Sequence, residues 1–74
     1  MNNVIRSLRL AAGLSQVELA ETLGVSRQTV NALETGKYDP SLPLAFRISA
    51  TFDQRIEDIF FPGAEDAPPT GGRR

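Results

Sequence analysis

Residues 16–35 read QVELAETLGVSRQTVNALET, and this stretch decides the fold. Ser15 precedes it and Glu18 follows three residues later, the spacing at which a hydroxyl caps a helix and a glutamate reaches back to the capping residue; Leu14 is placed to pack on Leu19. The pattern predicts a helix from Gln16 to Leu23. Gly24 permits a tight left-handed turn, after which Val25 and Ser26 repeat the device, with Ser26 as cap and Val25 facing Val30. A second helix therefore begins about two residues after the first ends, continues through Leu33 and Glu34, and stops at Gly36. Ala20 is small where two helices crossing at about 90–120° approach most closely. The pair reads as a helix-turn-helix, with Leu19, Ala20, Leu23, Val25, Val30 and Leu33 turned inward.

The outward face of the second helix carries Arg27, Gln28, Thr29 and Asn31 beside the small Ala32, with no acid before Glu34. Arginine can bind guanine through two hydrogen bonds, and glutamine or asparagine can do the same for adenine, so this face suits reading of base edges in a major groove. Two packed amphipathic helices with no function beyond the core are the plainer reading. The concentration of base-reading groups on one exposed turn argues against it.

Outward from this centre, Val4, Ile5, Leu8 and Ala12 recur at helical spacing before Gly13 and predict a first helix. Asp39-Pro40-Ser41 reads as a turn and cap, and Leu42, Ala45, Ile48, Ser49 and Phe52 predict the buried stripe of a fourth helix. A short fifth helix is expected from about Ile56 to Phe60. Residues 1–61 then form one domain. Residues 62–74 hold three prolines, three glycines and no apolar side chain larger than alanine, a composition that predicts a flexible tail, in which Gly71-Gly72 means only flexibility.

The 74 residues are too few for a second domain and bury modest surface, so help from a partner copy is expected. Cysteine and histidine are absent, which removes disulfides, the usual zinc ligands and the usual neutral-pH base; with no paired carboxylates or phosphate loop either, an enzyme, a metal site and a cofactor are not expected. No apolar run approaches the roughly 20 residues that span a bilayer, and no leader pattern opens the chain, so a cytoplasmic protein without a membrane partner is expected. The net charge of −1 is unevenly spread: residues 1–38 carry +1 and residues 39–74 carry −2. The amino-terminal half is the better partner for phosphate.

The segment from Ile5 to Phe60 resembles the XRE family, the Cro/CI-type helix-turn-helix regulators, through the combination LSQ, LA, LGVS, Q-T-V-N, E-x-GK and PSL. Within it the chain is similar to short single-domain repressors of the cytolysin-repressor type. The resemblance implies an all-α, five-helix lambda-repressor-like domain that binds a double-stranded DNA operator as a homodimer, without a small-molecule effector domain. It implies that Gln16 meets a phosphate and braces Arg27, that Arg27 and Gln28 read bases with Ser26 and Asn31 nearby, and that Thr35, Lys37 and Tyr38 meet the backbone. Arg9 and Glu34 match a family pair that forms a partly buried salt bridge.

Two features complicate that picture. Where the family often has Gly-Val-Ser between its last two helices, this chain has Asp53-Gln54-Arg55, losing a residue at ease with positive φ, an apolar plug and a cap; the joint is expected to be looser. Leu44, Phe46, Phe60 and Phe61, with neighbouring Ile56, exceed what one buried stripe per helix can shelter, and predict a dimer interface; alternatively Phe60 or Phe61 folds back over the joint. Repression by promoter blocking is the simplest mechanism. The competing function is a protein-interaction module, such as the antitoxin half of a toxin pair, whose tail wraps a partner and for which DNA binding is secondary.

Overall fold

In a computed structural model, residues 1–63 are described, and they form five helices and a two-stranded antiparallel ribbon in the order β1 (Asn2–Asn3), α1 (Ile5–Ala11), α2 (Gln16–Leu23), α3 (Arg27–Glu34), α4 (Leu42–Phe52), α5 (Ile56–Ile59), β2 (Phe60–Phe61). The architecture is mostly helical, as the spacing of caps and apolar residues predicts.

Local chemistry accounts for each boundary of the helix-turn-helix. Ser15 Oγ accepts from Glu18 N at 3.0 Å while Glu18 Oε1 accepts from Ser15 N at 2.8 Å, closing the reciprocal cap at the start of α2. Gly24 sits in the left-handed region (φ 73°, ψ 32°) and its N–H returns to the end of α2. Ser26 Oγ then accepts from Thr29 N at 3.1 Å and starts α3. Arg47 of α4 adds a clamp: its Nη1 donates to Leu23 O at 3.1 Å, satisfying a carbonyl that the end of α2 leaves open.

The core contains the side chains of Ile5, Leu19, Leu23, Val30, Leu33, Ile48 and Ile59, all essentially inaccessible, with Ala20, Leu44, Ala45 and Phe60 around them. α2 is the shared neighbour of α3 and α4, α1 packs on α3, and α5 packs on α4.

Three expectations change. Val4, counted in the apolar spacing of the first helix, stands just before it as the capping residue, because Asn3 Oδ1 accepts from Ile5 N at 3.1 Å and its Nδ2 donates to Leu33 O at 2.8 Å, tying Asn3 in extended form. The last helix ends at Ile59 rather than Phe60: Phe60 is extended (φ −112°, ψ 134°) and Asn3↔Phe60 and Asn2↔Phe61 pair across the ribbon. Two successive aromatics before Pro62 favour that extended backbone. The stripe of α4 is also rotated. Leu42 is 63% exposed while Leu44 is buried. At about 100° per residue, Leu44, Ala45, Ile48 and Phe52 fall in one sector about 100° wide, whose centre lies about 110° from Leu42.

The joint before α5 has the expected left-handed residue and lacks a side-chain cap. Asp53 takes the left-handed cap position (φ 52°, ψ 47°), the sole non-glycine residue among those described to do so. Arg55 supplies no side-chain cap; instead its Nε donates to Asp58 Oδ2 at 2.9 Å. That hydrogen bond holds the Asp58 carboxyl below the ordinary aspartate range and raises the Arg55 guanidinium. From residue 64 the expected tail lies outside the described residues.

Candidate nucleic-acid interface

The two buried anchors Val30 and Leu33 fix the roll of α3, which leaves Arg27, Gln28 and Asn31 exposed on its far side. Ser26 is exposed beside them, but its hydroxyl caps Thr29 N and also shares a 2.9 Å hydrogen bond with Thr29 Oγ1. It is therefore engaged in starting the helix, and a base contact by Ser26 has to be shared with the cap.

Beside this face, Arg9 of α1 reaches Glu34 with Nε–Oε2 at 2.6 Å and Nη2–Oε1 at 3.2 Å, and its Nη1 donates to Leu14 O at 2.9 Å. The side chains are 10% and 3% exposed, so this is a buried ion pair. Hydrogen bonding to Glu34 raises the Arg9 guanidinium pKa further above its ordinary range, against the opposing effect of burial.

Gln16, at the first position of α2, joins the pair to the surface. Its Nε2 donates to Glu34 Oε1 at 3.1 Å and to Asn31 Oδ1 at 3.3 Å. The brace expected on Arg27 thus falls on Asn31, because the first turn of α2 faces the middle of α3 and not its start.

Arg6, Arg9, Gln16, Asn31, Glu34 and Thr35 together line a cleft of about 350 Å³. Arg6 is exposed there and was not singled out by the sequence, where nothing distinguishes it from any solvated arginine on an amphipathic helix. The loop after α3 presents exposed Thr35, Lys37 and Tyr38. Its path is fixed by Lys37 N and Tyr38 N, which both donate to Ala32 O, and by Gly36 at φ 78°. Thr35 Oγ1 donates back to Asn31 O at 3.0 Å and Ala32 O at 3.3 Å, so its hydroxyl hydrogen is already engaged and it offers DNA an acceptor rather than a donor.

Residues 5–59 match the model of a helix-turn-helix family. The chain belongs to the XRE-type helix-turn-helix family. Relatives in that family include an uncharacterized HTH-type transcriptional regulator of Methanocaldococcus jannaschii, 55% identical over 60 residues that cover 81% of this chain and 91% of the relative. The HTH-type regulator YgzD of Bacillus subtilis is 49% identical over 61 residues, covering 82% and 92%. Among solved structures, the restriction-modification controller protein C.AhdI of Aeromonas hydrophila superposes with a TM-score of 0.68 at 34% identity, covering 76% of this chain and 85% of that one. These findings make the helix-turn-helix chain a DNA-binding domain of the transcription-regulator class. Among the described residues no cluster of acidic, histidine or cysteine side chains has metal-ligating geometry, and no helix is long and apolar enough to cross a membrane.

The expected interface residues of the carboxy-terminal part do not all reach the surface. Leu44 and Phe60 are buried within the protomer, at 4% and 7% exposure, because α4 turns Leu44 inward and the ribbon holds Phe60 against the core. Phe46 and Phe61 are exposed, and Ile56 is half-buried.

Proposed function

We propose that this chain is a repressor that binds an inverted-repeat operator as a homodimer and blocks a promoter, with α3 in the major groove. The observation that carries the reading is the solvent face of α3, where Arg27, Gln28 and Asn31 stand together on a helix whose opposite face is locked into the core. Arg27 and Gln28 read bases. Lys37, Tyr38 and, in addition, Arg6 meet the sugar-phosphate backbone around them, Gln16 joins them through its main-chain N–H at the start of α2, and Thr35 does so by turning its hydroxyl hydrogen from Asn31 O and Ala32 O toward a phosphate; such contacts fix register without reading sequence.

A dimer follows from the number of base pairs one short helix can read; two copies related by a two-fold axis place two α3 helices one DNA turn, about 34 Å, apart. The surface that suits the second copy is the exposed apolar side of α4 with the end of the chain described: Leu42 and Phe46 lie one turn apart, and Leu42 borders a groove of about 240 Å³ formed with Ala45, Ile56 and Phe60. α3 and α4 each pack on α2, and pairing through the outer side of α4 uses no residue of the α3 face. The alternative of a toxin-binding tail rests on residues outside those described.

Selection of bound sites from random duplexes tests the proposal. Recovery of an inverted repeat with half-sites about one turn apart is the expected result. Recovery of single half-sites removes the dimer, and failure to enrich any sequence removes base reading.

A further inference from the structure

A buried ion pair, a glutamine and an exposed asparagine form one continuous hydrogen-bonded chain from the interior to the face of α3. Arg9 only donates, and both of its contacts to Glu34 require carboxylate oxygens that accept. Glu34 Oε1 therefore also accepts from Gln16, which must place its amino group, and not its carbonyl, against the carboxylate. An amide nitrogen has two hydrogens. The second is directed at Asn31, and an acceptor must stand there, which turns Asn31 Oδ1 toward Gln16. Asn31 Nδ2 then keeps both hydrogens and donates to nothing among the described residues, on an exposed residue one turn from Arg27.

We infer that the Arg9–Glu34 pair, acting through Gln16, sets the polarity of Asn31, so that Asn31 meets DNA as a donor and selects base edges that accept. This rests on the reading of α3 as the base-reading helix. The sequence alone suggests the two-bond adenine contact open to any asparagine, in which Oδ1 takes the adenine amino group. Here that would require Asn31 to turn over and face Gln16 with a second donor. Gln16 cannot turn in compensation, because its carbonyl would then oppose the Glu34 carboxylate. Guanine, with N7 and O6 both accepting on the major-groove edge, suits the observed arrangement, and adenine, with one acceptor and one donor, suits it less. Glu34 and Gln16 are in this sense positioning residues for specificity.

The test compares affinity ratios, so that any loss of a backbone contact at position 16, which weakens all sequences alike, cancels. On a selected operator, Asn31→Ala first identifies the base pair at which discrimination is lost. Wild type should then favour guanine over adenine there by about tenfold. Gln16→Leu, which keeps the bulk and removes both donors, should bring the ratio toward one or past it in favour of adenine, while its circular dichroism and unfolding midpoint verify the fold. Without DNA, the side-chain amide protons of Gln16 should exchange with solvent more slowly than those of Asn31. A wild-type preference for adenine, a ratio unchanged by Gln16→Leu, or no base pair that responds to Asn31→Ala overturns the inference. Wild type that binds no duplex at all overturns the DNA reading instead.

Discussion

Replacing Arg9 by alanine removes three hydrogen bonds at once: two to Glu34 and one to the carbonyl of Leu14. What remains is a carboxylate whose side chain is 3% exposed, together with an unpartnered carbonyl. Breaking a buried ion pair costs about 3–5 kcal/mol, against about 0.2–1 kcal/mol for an exposed one. Gln16 still donates to Glu34 after the change, and the adjoining cleft can admit water, which places the expected loss near the lower bound, about 3 kcal/mol. A chain of this size is stabilised by about 4–11 kcal/mol in total, so the substitution removes a large fraction of it. With a urea dependence of about 1 kcal/mol per molar for so small a domain, the midpoint should fall by about 3 M. The double variant Arg9→Met/Glu34→Leu should return to within about 1 kcal/mol of wild type, since apolar residues of similar volume replace the pair without a stranded charge. Urea titrations of Arg9→Met, Glu34→Leu and the double variant close the cycle. A loss under about 1 kcal/mol for Arg9→Ala, or losses that simply add in the double variant, refutes the account.

Arg27→Ala should cost about 1–3 kcal/mol on the preferred site and relax choice at one base pair, whereas Lys37→Ala should weaken every sequence alike and reduce the salt slope by about one. Binding titrations on matched and mismatched sites at several salt concentrations separate them, and equal losses on all sequences for Arg27→Ala would contradict base reading. Asp53→Gly should stabilise by about 1 kcal/mol, because a left-handed residue with a Cβ is relieved and a negative charge leaves a helix carboxy terminus. Thermal unfolding should show a midpoint about 4–8 °C higher, and a lower midpoint would mean that the aspartate is held there by something else. Phe46→Ser with Phe61→Ser should give a folded monomer with much weaker operator binding, and sedimentation of an unchanged dimer would move the interface elsewhere. Phe60 is left intact in that test because it belongs to the core.

The centre of the fold is legible because its signals are local. Ser15 with Glu18, Gly24 and Ser26 each act on backbone within four residues, so reading them needs no knowledge of the rest of the chain. The errors lie where partners are distant. Two-residue strands have no periodicity to detect, and nothing in Asn2-Asn3 announces Phe60-Phe61 as its partner. In α4 a step of three from Leu42 to Ala45 is as good a helical spacing as a step of four from Leu44 to Ile48, and only the rest of the core decides between them. At the candidate interface the exposed face of α3 follows from which residues are apolar. The partner of Gln16 does not, because it depends on how α2 crosses α3, and Arg6 and Arg47 look alike in sequence although one lines the cleft and the other clamps Leu23.

The ribbon that pairs Asn3 with Phe60 also bears on the order of folding. The turn-linked helices α2 and α3 are neighbours in sequence and can pack with little loop to close. The ribbon joins positions about 57 residues apart, and fastening so long a loop costs about 3–4 kcal/mol of chain entropy if done first. Closure therefore comes late, after α4 and α5 have brought the two ends together. The exposed face of α3 is built early and from the middle, and the outermost residues act as a latch; amide exchange should find the latch opening on its own while the central helices stay protected.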